Sequence, residues 1–173
     1  MTEIPGPYRT PHGLDAPLRQ QLLARSNAVL ATINPDGSPH LTELLFYLDD
    51  QDRILLPTPH TTKKVRNVLA RPTVSVFISV ASGWASCAGT ARVITGEEAA
   101  RLNELNRERL LTDAGMATMG LLLAAYEDTT LEITPVRWMA WNDDAILDTI
   151  ASLGGDVVTH PPSTWWNDLS TEG

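Results

Sequence analysis

Residues 54–72 read ILLPTPHTTKKVRNVLARP, and the interpretation of the whole chain starts from this stretch. It predicts the end of a strand, a tight polar loop, a short helix and a proline that stops the helix. The only two lysines of the chain, Lys63 and Lys64, stand at the start of that helix, directly after Thr61 and Thr62. A helix N-terminus offers free backbone N–H groups and the positive end of the dipole, so added hydroxyl and ammonium groups favour a phosphate there. A capped surface helix that carries two lysines explains the same residues equally well.

The composition narrows the class of protein. The chain has 173 residues, a formal net charge of −8 and a sequence pI near 4.8, so one acidic domain is expected. An acidic surface argues against nucleic-acid binding and against docking on anionic membranes. The single cysteine excludes an internal disulfide framework and any multi-cysteine zinc site. No signal-like segment and no apolar run of about 20 residues is present, so a cytoplasmic protein without membrane spans is expected.

The hydrophobic pattern predicts six antiparallel strands, at residues 28–33, 39–48, 53–56, 73–80, 84–94 and 129–141. Helices are predicted after an Asp15 N-cap, after the 58–62 loop, after a capping box at residues 95–98, and at residues 116–126. Such a succession is typical of a small, closed or nearly closed barrel. Residues 1–19 are expected to form an N-terminal arm and helix start, residues 20–141 the barrel, and residues 142–173 a C-terminal tail.

Several other side chains were weighed as functional candidates. Trp84 begins a strand after a glycine and could stack on a planar ligand, although core packing is the favoured interpretation of an isolated tryptophan. Cys87 lies mid-strand among small residues, which predicts a buried, unreactive thiol. The four histidines have no i, i+4 pairing, so no metal site is predicted. Trp165 and Trp166 lie in a polar tail and are expected to dock on the barrel, on a partner subunit or over a cleft.

Several segments together resemble a known family. They are AVLATI at residues 28–33, DGSPHL at 36–41, TTKKVRN at 61–67, RPTVSV at 71–76 and AGTARV at 88–93. Their order and spacing resemble the split-barrel flavin-binding proteins, namely the pyridoxamine 5′-phosphate oxidase-like proteins and the flavin/deazaflavin oxidoreductases. The resemblance runs from about residue 20 to residue 140.

This resemblance implies a mainly β (α+β) fold, a six-stranded antiparallel split β-barrel with a few peripheral helices. It also implies a homodimer with cofactor clefts at the subunit interface. In such proteins a Ser/Thr-Arg-Lys segment at a helix start holds the cofactor phosphate, and here the matching segment is Thr62-Lys63-Lys64. Lysine keeps the charge of the replaced arginine but loses its bidentate fork. The predicted cofactor-binding residues are Thr42, Thr58, Thr61, Thr62, Lys63, Lys64, Asn67 and Trp84, with Thr42 and Thr58 beside the ring system and Trp84 near a position that reaches the ring from the neighbouring subunit.

The last predicted strand separates branches of the family. It reads PVRWMAW at residues 135–141 and lacks the Arg-x-His-like motif of true pyridoxamine phosphate oxidases, so oxidation of vitamin B6 is not expected. The likeness is closer to the short actinobacterial branch, whose members resemble users of the deazaflavin coenzyme F-420. The expected function is hydride transfer from reduced F-420 to a small unsaturated organic substrate, with no catalytic side chain singled out. The alternatives are an FMN-binding oxidoreductase and a non-catalytic carrier of a flavin or haem-like ligand.

Overall fold

The computed structural model describes residues 8–9, 13–81, 83–116, 118 and 128–155. The strands in these ranges are β1 (Tyr8–Arg9), β2 (Asn27–Ile33), β3 (Pro39–Leu45), β4 (Tyr47–Leu48), β5 (Ile54–Pro59), β6 (Thr73–Val80), β7 (Gly83–Thr95) and β8 (Asp128–Asn142). The named helices are α1 (Ala16–Leu23), α2 (Lys63–Ala70), α3 (Gly96–Leu110) and α4 (Asp143–Ser152).

All the strands belong to one antiparallel sheet with the order β3-β2-β6-β7-β8-β5-β4, and β1 pairs with β8. β3 lies at one end of this order yet contacts β5 near the other end, so the sheet curls into a nearly closed barrel. The six strands predicted from the sequence are the six that have six or more residues, and the predicted fold class is confirmed. The strand predicted at residues 39–48 is divided into β3 and the two-residue β4. The two-residue strand β1 was not predicted.

The core lies on the concave side of this sheet and follows from the period-2 patterns of the strands. In β6, for example, buried and exposed residues alternate strictly along the whole strand. Cys87 and Trp138 lie in this core at 3% exposure each, which confirms the prediction that the thiol is buried. Burial also raises the pKa of the Cys87 thiol to about 12, so it stays protonated at neutral pH. Two helices complete the core, α1 with Leu18 and Leu22 and α2 with Val65 and Val68.

β5 extends to Pro59, three residues beyond the predicted strand end at residue 56. Two prolines are tolerated here because β4 pairs with β5 only at Ile54 and Leu55. Beyond Leu55, β5 pairs with β8 alone in the described part of the chain. The missing proline N–H groups therefore fall on an edge that needs no donor. This extension carries Thr58 to the start of the loop before α2.

Two local predictions were wrong. Thr95 precedes α3 but its side chain makes no capping hydrogen bond, so the capping box at residues 95–98 does not form. The Glu98 carboxylate instead lies 3.4 Å from the Arg92 guanidinium on β7. The sequence also did not predict α4, which begins where the Asn142 side chain accepts a hydrogen bond from the Asp144 N–H.

Other predictions fall where the structure gives no description. Most of the predicted helix at residues 116–126 lies outside the described residues, as do Trp165, Trp166 and the rest of the chain after residue 155. No helix in the described ranges combines the length and the apolar character that crossing a membrane requires.

Gly89 marks the point where the β7–β8 register shifts. A Cβ at this residue would lie 2.6 Å from the Thr134 carbonyl oxygen and 2.9 Å from Ile133 Cγ2. We expect Gly89→Ala to lower the free energy of unfolding by roughly 1–3 kcal/mol, because a methyl group there would clash with the Thr134 backbone carbonyl and the Ile133 side chain. Urea denaturation followed by circular dichroism measures this. Gly13→Ala, where nothing lies within 4 Å, is the matched control and should change stability by less than about 0.5 kcal/mol. Equal stability of the two variants would contradict the close approach.

Candidate functional site at the start of α2

The N-terminus of α2 lacks a side-chain cap. Thr62 has the extended backbone of an N-cap residue, with φ −71° and ψ 155°, but its side chain makes no capping hydrogen bond. Its Oγ1 lies 3.3 Å from Thr58 Oγ1 instead. By contrast, Asp15 caps α1 by accepting from the Leu18 N–H at 2.9 Å. The first N–H groups of α2 have no intrahelical acceptor, so they remain available to a ligand.

The charges at this end of α2 oppose the helix dipole. Lys63 is exposed and Lys64 is half-buried, and the first turn has no acidic residue. The first turn of α3, in contrast, carries Glu97 and Glu98. Positive side chains at the positive end of a dipole are unfavourable by a few tenths of a kcal/mol to about 1 kcal/mol each. Burial also lowers the pKa of Lys64. A bound anion would relieve both costs, and a phosphate suits ammonium and backbone N–H donors.

A short turn joins β5 to this helix end. The Thr62 N–H donates to the Pro59 carbonyl at 3.3 Å, and His60 Nδ1 lies 3.3 Å from Thr129 Oγ1 on β8. Thr129 is fully buried and pairs directly with Thr58, which is 7% exposed. The loop is therefore anchored to β8 directly before the predicted phosphate position. Thr61 is exposed and its carbonyl accepts from Arg66 Nη1 at 2.8 Å.

The β2–β3 turn lies beside the same helix. Asp36 in that turn accepts hydrogen bonds from the side chain and the backbone N–H of Ser38. These bonds hold the pKa of the Asp36 carboxyl below its usual value, and the positive charge of Lys63 contributes to the same shift. Lys63 is thus electrostatically coupled to the turn as well as to the helix end.

Thr42 and Trp84 lie on opposite faces of the sheet. Thr42 pairs with the buried Leu30, so it points to the concave side, where its Oγ1 lies 3.4 Å from His40 Nδ1. Trp84 alternates with the buried Ala85 and points outward, with its ring 5.8 Å from that of Phe77. Core packing, the favoured interpretation of an isolated tryptophan, is therefore wrong. A single chain brings Thr58, Thr61, Thr62, Lys63 and Lys64 together but does not bring Trp84 to them.

Asn67 is buried rather than presented at the helix end. Its exposure is 3%, and its amide nitrogen donates to Thr32 Oγ1 and to Asn34 Oδ1. The sequence did not predict a site role for Thr32, Asn34 or Arg71, although Arg71 Nη1 donates to the Asn34 carbonyl at 2.8 Å. The one signal in the sequence was the polar Asn34 at the start of a hairpin turn, a position where asparagine is common for local reasons. Its contact with α2 is long-range and has no sequence pattern.

No cluster of three or more metal-ligating side chains occurs among the described residues. The arrangement is suited instead to an organic phosphate, with donors at the start of α2 and hydroxyl groups of Thr58 and Thr62 next to them. The structural observations fit the phosphate-bearing cofactor implied by the sequence resemblance.

Comparison with known proteins identifies the family. The model of the pyridoxamine 5′-phosphate oxidase family matches residues 14–142, which is most of the chain. The chain belongs to this family. The family includes oxidoreductases, typically binds flavin, and its members are often dimers. No curated protein matches the chain.

Solved structures with the same fold include a conserved hypothetical protein from Mycobacterium tuberculosis. It is 23% identical with a TM-score of 0.70, over 94% of this chain and 99% of that one. An F-420 reductase is 20% identical with a TM-score of 0.53, over 69% of this chain and 94% of that one. A heme binding protein from Mycobacterium smegmatis is 18% identical with a TM-score of 0.55, over 77% of this chain and 60% of that one. At these identities the neighbours show the shared fold.

Binding of a phosphate-bearing ligand at the start of α2 should raise the pKa of Lys64, because the ammonium gains the anionic partner that offsets its burial. Carbon-13 NMR of the lysine side chains over a pH series, with and without saturating FMN or F-420, measures this. Without ligand, the folded chain binds the Lys64 proton less tightly than the unfolded chain. The amount by which Lys64 lowers the free energy of unfolding therefore becomes smaller as pH rises through the lowered pKa towards 10.5. A Lys64 pKa that does not move when a phosphate-bearing cofactor saturates the protein would contradict the site.

Proposed function

We propose that this protein is an oxidoreductase that uses reduced coenzyme F-420 to transfer hydride to a small unsaturated organic substrate. The observation that carries the proposal is the uncapped, lysine-bearing N-terminus of α2, which offers N–H, hydroxyl and ammonium donors at one place. Membership of the pyridoxamine 5′-phosphate oxidase family and the shared fold with an F-420 reductase support the choice of a flavin-type cofactor.

In this proposal each side chain has a physical role. Lys63, Lys64, Thr61 and Thr62 hold the cofactor phosphate at the start of α2. When bound, the deazaflavin supplies the hydride, and the chain orients it and excludes water. Thr58 and Thr42 lie on the concave side of the sheet, where they would lie beside the ring system of the cofactor. The apolar core beneath Thr58 restricts the access of water to that position.

We also propose a homodimer, because the outer face of the sheet carries large apolar side chains. Leu41, Leu45 and Phe77 are 66%, 41% and 42% exposed on β3 and β6, the two strands that flank β2. Trp84 lies next to Phe77 on this face and would reach the cofactor cleft of the partner subunit. Burying such a patch favours association.

Sedimentation equilibrium at micromolar concentration should give twice the mass of the chain, and the mass of a single chain would contradict the dimer.

FMN is the second candidate, because the family typically binds flavin and the lysines suit any phosphate. A non-catalytic carrier of a haem-like ligand is the third, since one protein of the same fold is a heme binding protein. Fluorescence and absorbance titrations of the purified chain with F-420, FMN and haemin distinguish them. Binding of F-420 with turnover of unsaturated acceptors supports the proposal. A chain purified with bound FMN would contradict it, and tight cofactor binding without turnover over a broad panel of acceptors would favour the carrier.

Replacing both Lys63 and Lys64 by alanine should weaken F-420 binding by about 3 kcal/mol or more, roughly a hundredfold in Kd, because charge-assisted hydrogen bonds contribute about 1.5–3 kcal/mol each. Isothermal titration calorimetry at constant ionic strength measures this. Arg25→Ala with Arg101→Ala is the matched control, since it removes two positive charges from exposed positions outside α2. Equal losses in the two double variants would show that only net charge matters and that α2 does not hold the phosphate.

A further inference from the structure

Asn67 connects α2 to the β2–β3 hairpin from inside the protein. Its Nδ2 donates to Thr32 Oγ1 at 3.0 Å and to Asn34 Oδ1 at 3.1 Å. Asn67, Thr32 and Asn34 are 3%, 0% and 9% exposed, so water offers little competition for these bonds. A side-chain amide has two hydrogens, and both are engaged in these two bonds. The Asn67 amide therefore cannot donate to a cofactor unless it releases the hairpin.

Asn34 is itself held in place. Its backbone N–H donates to the Ser38 carbonyl at 2.9 Å, and its side-chain amide donates to Ser38 Oγ at 2.9 Å. Arg71, one helical turn beyond Asn67, donates from Nη1 to the Asn34 carbonyl at 2.8 Å. The turn is therefore bonded both to α2, through Asn67, and to the residue that ends the helix, Arg71.

Asn67 lies four residues after Lys63, and residues at this spacing share one face of a helix. Fixing Asn67 therefore fixes the rotation of α2 about its axis and the direction in which its first N–H groups point. The electrostatic influence of Lys63 on Asp36 agrees with this orientation, since it brings the first turn of α2 beside the hairpin. A rotation or shift of the helix would move the lysines and the free N–H groups together.

We propose that Asn67 is a positioning residue that aims the N-terminus of α2 at the cofactor phosphate through Asn34 and Thr32, and that it is not itself a cofactor ligand. This inference rests on the proposed function of the α2 site. It places the β2–β3 turn within the binding machinery, although the turn itself need not touch the cofactor. Affinity for the phosphate then depends on a buried amide pair behind the site.

A double-mutant cycle tests the proposal. It follows the gain in affinity that the phosphate provides, which is the difference in affinity between F-420 and its phosphate-free form. Kd is measured for F-420 and for its phosphate-free deazaflavin riboside, with the wild-type chain, Asn67→Ala, Asn34→Ala and the double variant. Asn67→Ala should weaken F-420 binding by about tenfold and leave riboside binding unchanged. The double variant should bind no more weakly than Asn67→Ala, because Asn67→Ala already removes the bond to Asn34.

The control is Tyr47→Phe, which removes a 3.1 Å hydrogen bond from β4 to the Leu102 carbonyl of α3. This variant loses one contact between a strand and a helix at the opposite end of β5. The affinity that the phosphate adds should therefore stay the same. Additive losses for Asn67→Ala and Asn34→Ala would mean that Asn67 touches the cofactor directly. Equal losses for F-420 and the riboside would mean a general loss of structure. Either result overturns the proposal.

Hydrogen exchange separates this inference from the proposed function. In the ligand-free protein, Asn67→Ala and Asn34→Ala should each accelerate exchange of the α2 amides, whereas Tyr47→Phe should not. Unchanged exchange in α2 overturns the connection itself. If the phosphate of neither F-420 nor FMN adds affinity in the wild-type protein, the proposed function is overturned. The positioning role of Asn67 is then overturned as well, even if exchange shows that the hairpin holds α2.

Discussion

The unfavourable electrostatics at the start of α2 are the constraint on which the candidate site depends. Two lysines stand at the positive end of a helix whose N-cap threonine does not cap it, and one of these lysines is partly buried. Each feature alone costs free energy, and the fold has no acidic residue in the first turn to offset them. A bound phosphate would satisfy the amides and the ammonium groups together. Such a site is less stable without its ligand, which is how binding residues commonly differ from purely structural ones.

The barrel holds this helix end in place from three sides. β5 runs on through Pro57 and Pro59 because its outer edge is unpaired there, and it delivers Thr58 to the loop. β8 holds the loop through Thr129, and the β2–β3 turn holds the helix through Asn34. Val65 and Val68 bury the inner face of α2 in the core. The two lysines and the first N–H groups therefore lie on a short helix whose position is set by the strands, as a pre-formed phosphate site would require.

Much of the fold could be predicted from the sequence because its signals are local. Strict alternation in β6, the Asp-Gly turn at residues 36–37 and the proline after α2 each act within a few residues, and all six long strands were predicted. The wrong and missing helix predictions lie where a strand runs directly into a helix, β7 into α3 and β8 into α4. Glu98 pairs with Arg92 rather than completing a capping box, and α4 starts directly where β8 ends, with no turn residue between them. In the site, charge alone drew attention to the lysines but did not decide between a phosphate site and a capped surface helix. The inward direction of Asn67 could be seen only in the packed helix and hairpin.

The free N–H groups at the start of α2 are proposed to bind the cofactor phosphate. Nitrogen-15 NMR of the labelled protein, titrated with whichever of F-420 and FMN binds, tests this binding. The amides of Lys63, Lys64 and Val65 should show the largest downfield shifts, and the phosphate-free riboside or riboflavin should leave them in place. Tight binding of the complete cofactor with these three amides unmoved would overturn the proposed site, since the phosphate would then lie elsewhere on the protein.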